Sequence, residues 1–177
     1  MIAVAPNGAR KTKHDHPALP LTPQELADTA ASCREAGACM IHLHVRNKQG
    51  KHSLDPDLYL QAIGAVRESV GQDMIIQITT EAVGVYQPRE QIASVRKVKP
   101  EAVSLAIREL CPTEKDEPMA AQFFEWLYRE RIVPQYILYD LQDIHRFSEM
   151  QQRGMIPGNI HTIMLVLGRY SENQESI

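Results

Sequence analysis

Short apolar runs alternate with amphipathic stretches along the whole chain. Runs at 2–5, 39–45, 74–79, 102–106, 132–138 and 162–167 have the length and composition of buried strands. Between them apolar residues recur at helical spacing. Leu26, Ala30 and Cys33 form one stripe, Leu58, Ala62, Ile63, Val66 and Val70 a second, and Ile92, Val95 and Val98 a third. Ala120, Phe124, Leu127 and Tyr128 form a fourth on a helix over 118–129, and a fifth helix is predicted over 141–152. The helix ends carry their own signals. Thr22-Pro23-Gln24-Glu25 reads as an N-cap, a first-turn proline and a capping box, and Asp55-Pro56 repeats the first two. Gly37, Gly71 and Gly154 supply stops, and the third helix ends before Pro100.

Strands alternating with helices, with no hairpin signal between neighbouring strands, predict a parallel sheet with right-handed crossovers. No Gly-x-Gly-x-x-Gly follows the first strand. Polar residues gather instead where strands end: Asn7, then His42, His44 and Arg46, then Thr79, Thr80 and Glu81, then Ser104 and Glu109, Asp140 and Arg169. Convergence of many strand ends on one mouth predicts a parallel (β/α)8 TIM-type barrel, a single domain over 1–177. Such a barrel usually takes about 250 residues, and here only six strands and five helices are predicted. The expectation is therefore an incomplete barrel, either a fragment of a longer protein or one of two shortened chains that complete one another.

Composition narrows the partners. With 44% apolar and 23% charged residues, 20.0 kDa and 177 residues, the chain resembles ordinary globular proteins. A net charge of −3 gives no electrostatic case for nucleic acid or a membrane surface. The start lacks a basic region and breaks at Pro6, unlike a signal peptide, and Cys33, Cys39 and Cys111 form no disulfide or Cys-x-x-Cys pattern. Reduced thiols in a cytoplasmic protein are the expectation.

Candidate chemistry centres on the run 39–45. As a strand it would set Met40, His42, His44 and Arg46 on one face and Ile41, Leu43 and Val45 on the other. Two readings stay open: zinc ligands at the end of a parallel strand, or histidines hydrogen-bonded in a polar core. Glu81 and Glu109 are candidate site carboxylates, or solvated loop residues. His14 and His16 flank Asp15 on a long polar loop and read as surface residues or lid contacts. His52, His145 and His161 read as structural, and Phe123, Phe124 and Trp126 as core or interface.

From 2 to 170 the sequence resembles the β-keto acid cleavage enzyme family, typified by 3-keto-5-aminohexanoate cleavage enzyme. The resemblance rests on Pro6-Asn7-Gly8-Ala9-Arg10, Leu19-Pro20-Leu21-Thr22-Pro23, Ala36-Gly37-Ala38 and His42-Leu43-His44-Val45-Arg46 with Gly50 beyond. Gln77-Ile78-Thr79-Thr80-Glu81 and Pro100-Glu101-Ala102-Val103-Ser104 continue it in order. It implies a zinc-bearing (β/α)8 barrel in which a β-keto acid and acetyl-CoA give acetoacetate and a new acyl-CoA by condensation, CoA transfer and retro-Claisen cleavage. His42 and His44 match the first two zinc ligands. The family's glutamate ligand, and its catalytic arginine and aspartate, fall beyond residue 177.

The resemblance also implies substrate contacts at Thr79 and near Ser104, for which local backbone hydrogen bonding is the alternative. Asn7 and Arg46 are further substrate-binding candidates, with Arg46 either facing the mouth, leaving it for a surface ion pair or, as the favoured reading, supporting the loop. Arg10 stands where the typical member carries a glutamate that receives a substrate ammonium, so an anionic or neutral substrate tail is expected. Two rival functions remain open: a zinc hydrolase on a similar barrel, and a non-catalytic remnant that self-associates into a homo-oligomer through exposed edge strands.

Overall fold

The computed structural model describes residues 1–167. In chain order the elements are β1 (Ala3–Val4), α1 (Pro23–Glu35), β2 (Met40–Leu43), β3 (Val45–Arg46), β4 (His52–Ser53), α2 (Pro56–Val70) and β5 (Ile75–Thr79). They continue with α3 (Pro88–Val98), β6 (Ala102–Leu105), α4 (Ile107–Leu110), a 3₁₀ turn (Glu114–Asp116), α5 (Glu117–Glu130), β7 (Val133–Leu138), α6 (Leu141–Gln152) and β8 (Thr162–Leu165).

Six strands form one parallel sheet in the order β1-β2-β5-β6-β7-β8. The order follows the chain without reversal, so the sheet has no switch point of the doubly wound kind and winds as a barrel does. The result is a curled half-barrel, an incomplete (β/α) barrel as the sequence predicts. Alternation along each strand assigns its two faces. Ile41, Leu43, Ile76, Ile78, Val103, Leu105, Tyr136 and Leu138 pack into the hydrophobic core with the helices. Met40, His42, Gln77, Gln135, Ile137 and Met164 line a cavity inside the curl. The inner face thus mixes polar and apolar side chains, and the outer face is apolar.

The helix signals act as read. Thr22 caps α1, with Glu25 N donating to its hydroxyl and Glu25 accepting from Leu21 N and Thr22 N at 2.8 and 3.0 Å. Asp55 caps α2. Leu26, Ala27 and Ala30 of α1 and Ala62 and Val66 of α2 are buried where the two helices pack together, and the alanines allow a close approach. Phe123 and Phe124 are buried on α5, and Trp126 stacks on Phe123 with Arg96 over its ring. No described helix is long and apolar enough to cross a membrane.

Three readings are corrected. The run 39–45 is not one strand: β2 ends at Leu43, His44 breaks the ladder, and Val45–Arg46 pairs instead with His52–Ser53 as an antiparallel ribbon. The segment 47–54, expected to be loop, therefore contains a hairpin. Its turn is made by Asn47, whose side-chain oxygen accepts from Gln49 N and Lys51 N, and by Gly50 at φ +73°. The polar signal sits at the two ends of a four-residue turn, not in an Asn-Gly pair. Finally, the described residues hold six α-helices, because the short α4 follows β6. The prediction at Arg169 lies outside the described residues.

Glu25 also forms an ion pair with Lys13 and is held down to a pKa of about 2, chiefly by that contact and then by the two backbone donors. A depressed carboxylate stabilises the fold above its unfolded value and loses that contribution as pH falls. Glu25→Ala should cost about 1 kcal/mol at pH 7 in chemical denaturation. The difference from wild type should shrink between pH 4.5 and about 2.

Candidate functional site

The strand ends bring His42, His44 and Glu81, and the loop after β1 brings Arg10, to the wall of one cavity of about 510 Å³. His42 faces Gln77 directly across the β2–β5 ladder, with Nδ1 2.7 Å from Gln77 Oε1. Its Nε2 lies 3.0 Å from Nε2 of His44, so the two imidazoles converge on one another rather than on separate partners. The break in the strand at His44 turns that ring toward His42 at 74°. His44 Nδ1 is buried without a hydrogen bond and has Glu81 Oε2 at 3.8 Å.

Burial holds both imidazoles neutral. For His42 desolvation lowers the pKa against a smaller opposing hydrogen bond to Gln77. For His44 desolvation acts first, and His42, His52 and Arg46 add to it, taking the ring down to about 2. Burial pushes the Glu81 carboxyl up, opposed by Arg10 and Arg46. Neutral imidazoles present lone pairs, which is the form that binds metal.

A ring of supports fixes this arrangement. Asn7 is buried and donates to Pro20 O and His44 O at 3.0 and 2.8 Å, tying the end of β1 to the turn at His44. Arg46 leaves the inner face and donates to Gly8 O at 2.6 Å and Lys11 O at 3.3 Å, so it clamps the loop that carries Arg10. His52 sits beside His44, with ring centroids 5.4 Å apart, and bonds Glu81 O at 2.9 Å. It belongs to the surroundings of the site, although its role there is still to support a loop.

The remaining candidates lie deeper. Thr79 and Ser104 are buried, 3.4 Å apart through their hydroxyls, and Thr79 Oγ1 also accepts from Glu81 N. Glu109 accepts from Ala82 N and Gln91 Nε2 and does not line the cavity; desolvation raises its pKa. Both groups shape the 80–86 loop, where Val83 is held at φ +47°, an uncommon conformation for a β-branched residue. Asp15 and Lys11 reach the cavity wall, whereas His14 and His16 are exposed. Gln77 and Gln135 were not among the candidates. Each is a lone polar residue within an aliphatic strand, and that was the available signal.

Among the described residues no cluster of three or more His, Cys, Asp or Glu converges as a metal set. Arg46→Leu should leave the Gly8 and Lys11 carbonyls without their donor and cost about 1–3 kcal/mol. Hydrogen exchange should accelerate at 8–12 before it does in β2; unchanged protection there would remove Arg46 as the clamp.

The chain matches the sequence profile of the beta-keto acid cleavage enzyme family over residues 1–176. It is 33% identical over 175 residues to the 3-oxoadipate:acetyl-CoA acetyltransferase of Cupriavidus necator, an alignment covering 95% of this chain and 59% of that protein. To the 3-keto-5-aminohexanoate cleavage enzyme of Acetoanaerobium sticklandii it is 28% identical, over 91% of this chain and 60% of that one. The chain thus spans about three fifths of the length of these curated relatives. A putative phosphonomutase from Burkholderia cenocepacia J2315 shares the fold at a TM-score of 0.57 and 14% identity, covering 91% of this chain and 62% of that one. With a family match that runs through nearly all its residues, the chain belongs to the beta-keto acid cleavage enzyme family.

Proposed function

We propose that this chain supplies the zinc-binding and β-keto acid-binding half of an acetyl-CoA-dependent cleavage site, and that its substrate carries an anionic tail. The observation that carries the reading is the pair of part-buried Nε2 atoms, 3.0 Å apart in a cavity that Arg10 also lines. Two nitrogens bound to one tetrahedral zinc at about 2.0–2.1 Å stand roughly 3.3 Å apart. The residues therefore fit the ion with little movement. His42 and His44 would hold it, two short of a closed tetrahedral site, which leaves positions for substrate oxygens and for a ligand from outside the described residues.

When bound, zinc supplies Lewis-acid polarisation of a ketone oxygen. The chain's own residues do the rest. Arg46 and Asn7 fix the loop and turn on which Arg10 and His44 stand. Arg10 places positive charge in the cavity, suited to a carboxylate at the far end of a β-keto acid. The relative from Cupriavidus necator is named for 3-oxoadipate, whose second carboxylate is such a group. The relative from Acetoanaerobium sticklandii is named for an amino-bearing substrate, which Arg10 would repel.

A second reading, self-association, is favoured by the exposed apolar residues Ile163 and Leu165 on β8, which is an edge of the sheet among the described residues. Light scattering that shows a monomer at all concentrations would exclude it.

Zinc titration with competition by a chromogenic chelator should show one ion per chain, lost in His42→Ala; no zinc in the wild type would sink the metal reading. In calorimetry with zinc present, a 3-oxo dicarboxylate should bind about tenfold tighter than a 5-amino-3-oxo acid, roughly 1.4 kcal/mol. Arg10→Glu should reverse that order. Wild-type preference for the amino acid would contradict the anionic-tail assignment.

A further inference from the structure

The two imidazoles are not equivalent, although both belong to the same proposed site. His42 Nδ1 already has a close partner in Gln77 Oε1 at 2.7 Å. The Gln77 amide is itself oriented, because its Nε2 donates to Gln135 Oε1 at 3.3 Å. Gln77 is on β5 and Gln135 on β7, with β6 between them. On β6 the residues paired with them are both small, Ala102 beside Gln77 and Ser104 beside Gln135. The relay runs from β2 through β5 to β7 inside the curl, and both glutamines are buried.

His44 has no such partner. Its Nδ1 has no hydrogen bond, and the nearest charged acceptor, Glu81 Oε2, stands 3.8 Å away. One proton must lie between the two Nε2 atoms at 3.0 Å in the absence of a cation, since two facing lone pairs repel. With His42 carrying its proton on Nδ1, that proton belongs to His44 Nε2.

We propose that Gln77, oriented by Gln135, is a positioning residue that presets His42 as the Nδ1–H tautomer, while His44 changes from Nε2–H to Nδ1–H when a divalent cation binds, Glu81 receiving the new N–H. This rests on the metal reading above for its second half only. The proton count balances: His44 gives one proton to water from Nε2 and takes one back on Nδ1, and both rings are neutral before and after. His42 is the fixed ligand and His44 the adjustable one. The reverse arrangement, with both glutamine amides turned over, would put the His42 proton on Nε2 and close that lone pair to metal.

Nitrogen-15 chemical shifts of the imidazoles in the metal-free chain and during titration with Zn²⁺ decide the matter. The metal-free wild type should show His42 as Nδ1–H and His44 as Nε2–H, and the zinc form should show both as Nδ1–H. Gln77→Met, which keeps the length and loses the acceptor, should mix the His42 tautomers and weaken Zn²⁺ binding about 10- to 100-fold. Gln77→Glu should restore the Nδ1–H signature, and Gln135→Met should loosen it partly, with circular dichroism confirming that each variant is folded. Nε2–H at His42 in the metal-free wild type, or an unmixed His42 tautomer in folded Gln77→Met, overturns the presetting. If the wild type binds no Zn²⁺, the metal reading and the His44 switch fall together, while the metal-free spectra still decide the role of Gln77.

Discussion

Every polar group turned into the curl of the sheet must find a partner there, and that constraint governs the inner face of this chain. The outer faces of the strands are sealed against helices by aliphatic and aromatic side chains. The inner face cannot be sealed in the same way, because His42, His44, Gln77 and Gln135 project into it. An unpaired polar group buried in such a place costs about 1–3 kcal/mol. Two of the four are answered by a neighbour on a different strand: His42 by Gln77, and Gln77 by Gln135. What remains unanswered on this face is the Nδ1 of His44, while the two Nε2 atoms pair with one another at 3.0 Å.

The backbone serves the same end. A continuous strand through residue 46 would have carried Arg46 onto the inner face beside the histidines, where its charge would oppose a cation. Ending β2 at Leu43 lets the chain turn at His44 and sends Arg46 to the carbonyls of Gly8 and Lys11. The guanidinium thereby stabilises the loop that brings Arg10 and Lys11 to the cavity wall, and it leaves the floor of the cavity to neutral imidazoles. Asn7 completes the coupling by bonding the backbone of His44 itself. Sequence neighbours in the His-x-His-x-Arg run thus take three different structural tasks.

Much of the fold was legible in the sequence because hydropathy period and caps are local. The six sheet strands, the five long helices and the capping box at Thr22 all follow from residues close together in the chain. The β3–β4 ribbon was missed because its turn is stabilised by the Asn47 side chain over four residues, a pattern that overlaps with ordinary loop composition. Within the site, His42, His44 and Glu81 were legible as polar residues at strand ends and Arg10 through the family resemblance, and the structure gathers all four. Thr79 and Ser104, marked by the resemblance, and Glu109, marked by its strand end, lie deeper and bond within the protein, a depth that neither signal encodes. Gln77 and Gln135 meet across 58 residues of sequence and one intervening strand, a relation that no local pattern encodes.

The central claim is that His42 and His44 bind one zinc ion together through Nε2. Zinc-edge X-ray absorption on the zinc-loaded chain tests it most directly. The account predicts two imidazole nitrogens at about 2.0–2.1 Å, with the scattering signature of both rings, and loss of one ring in His44→Ala. A spectrum with oxygen ligands alone, unchanged by that substitution, would contradict it.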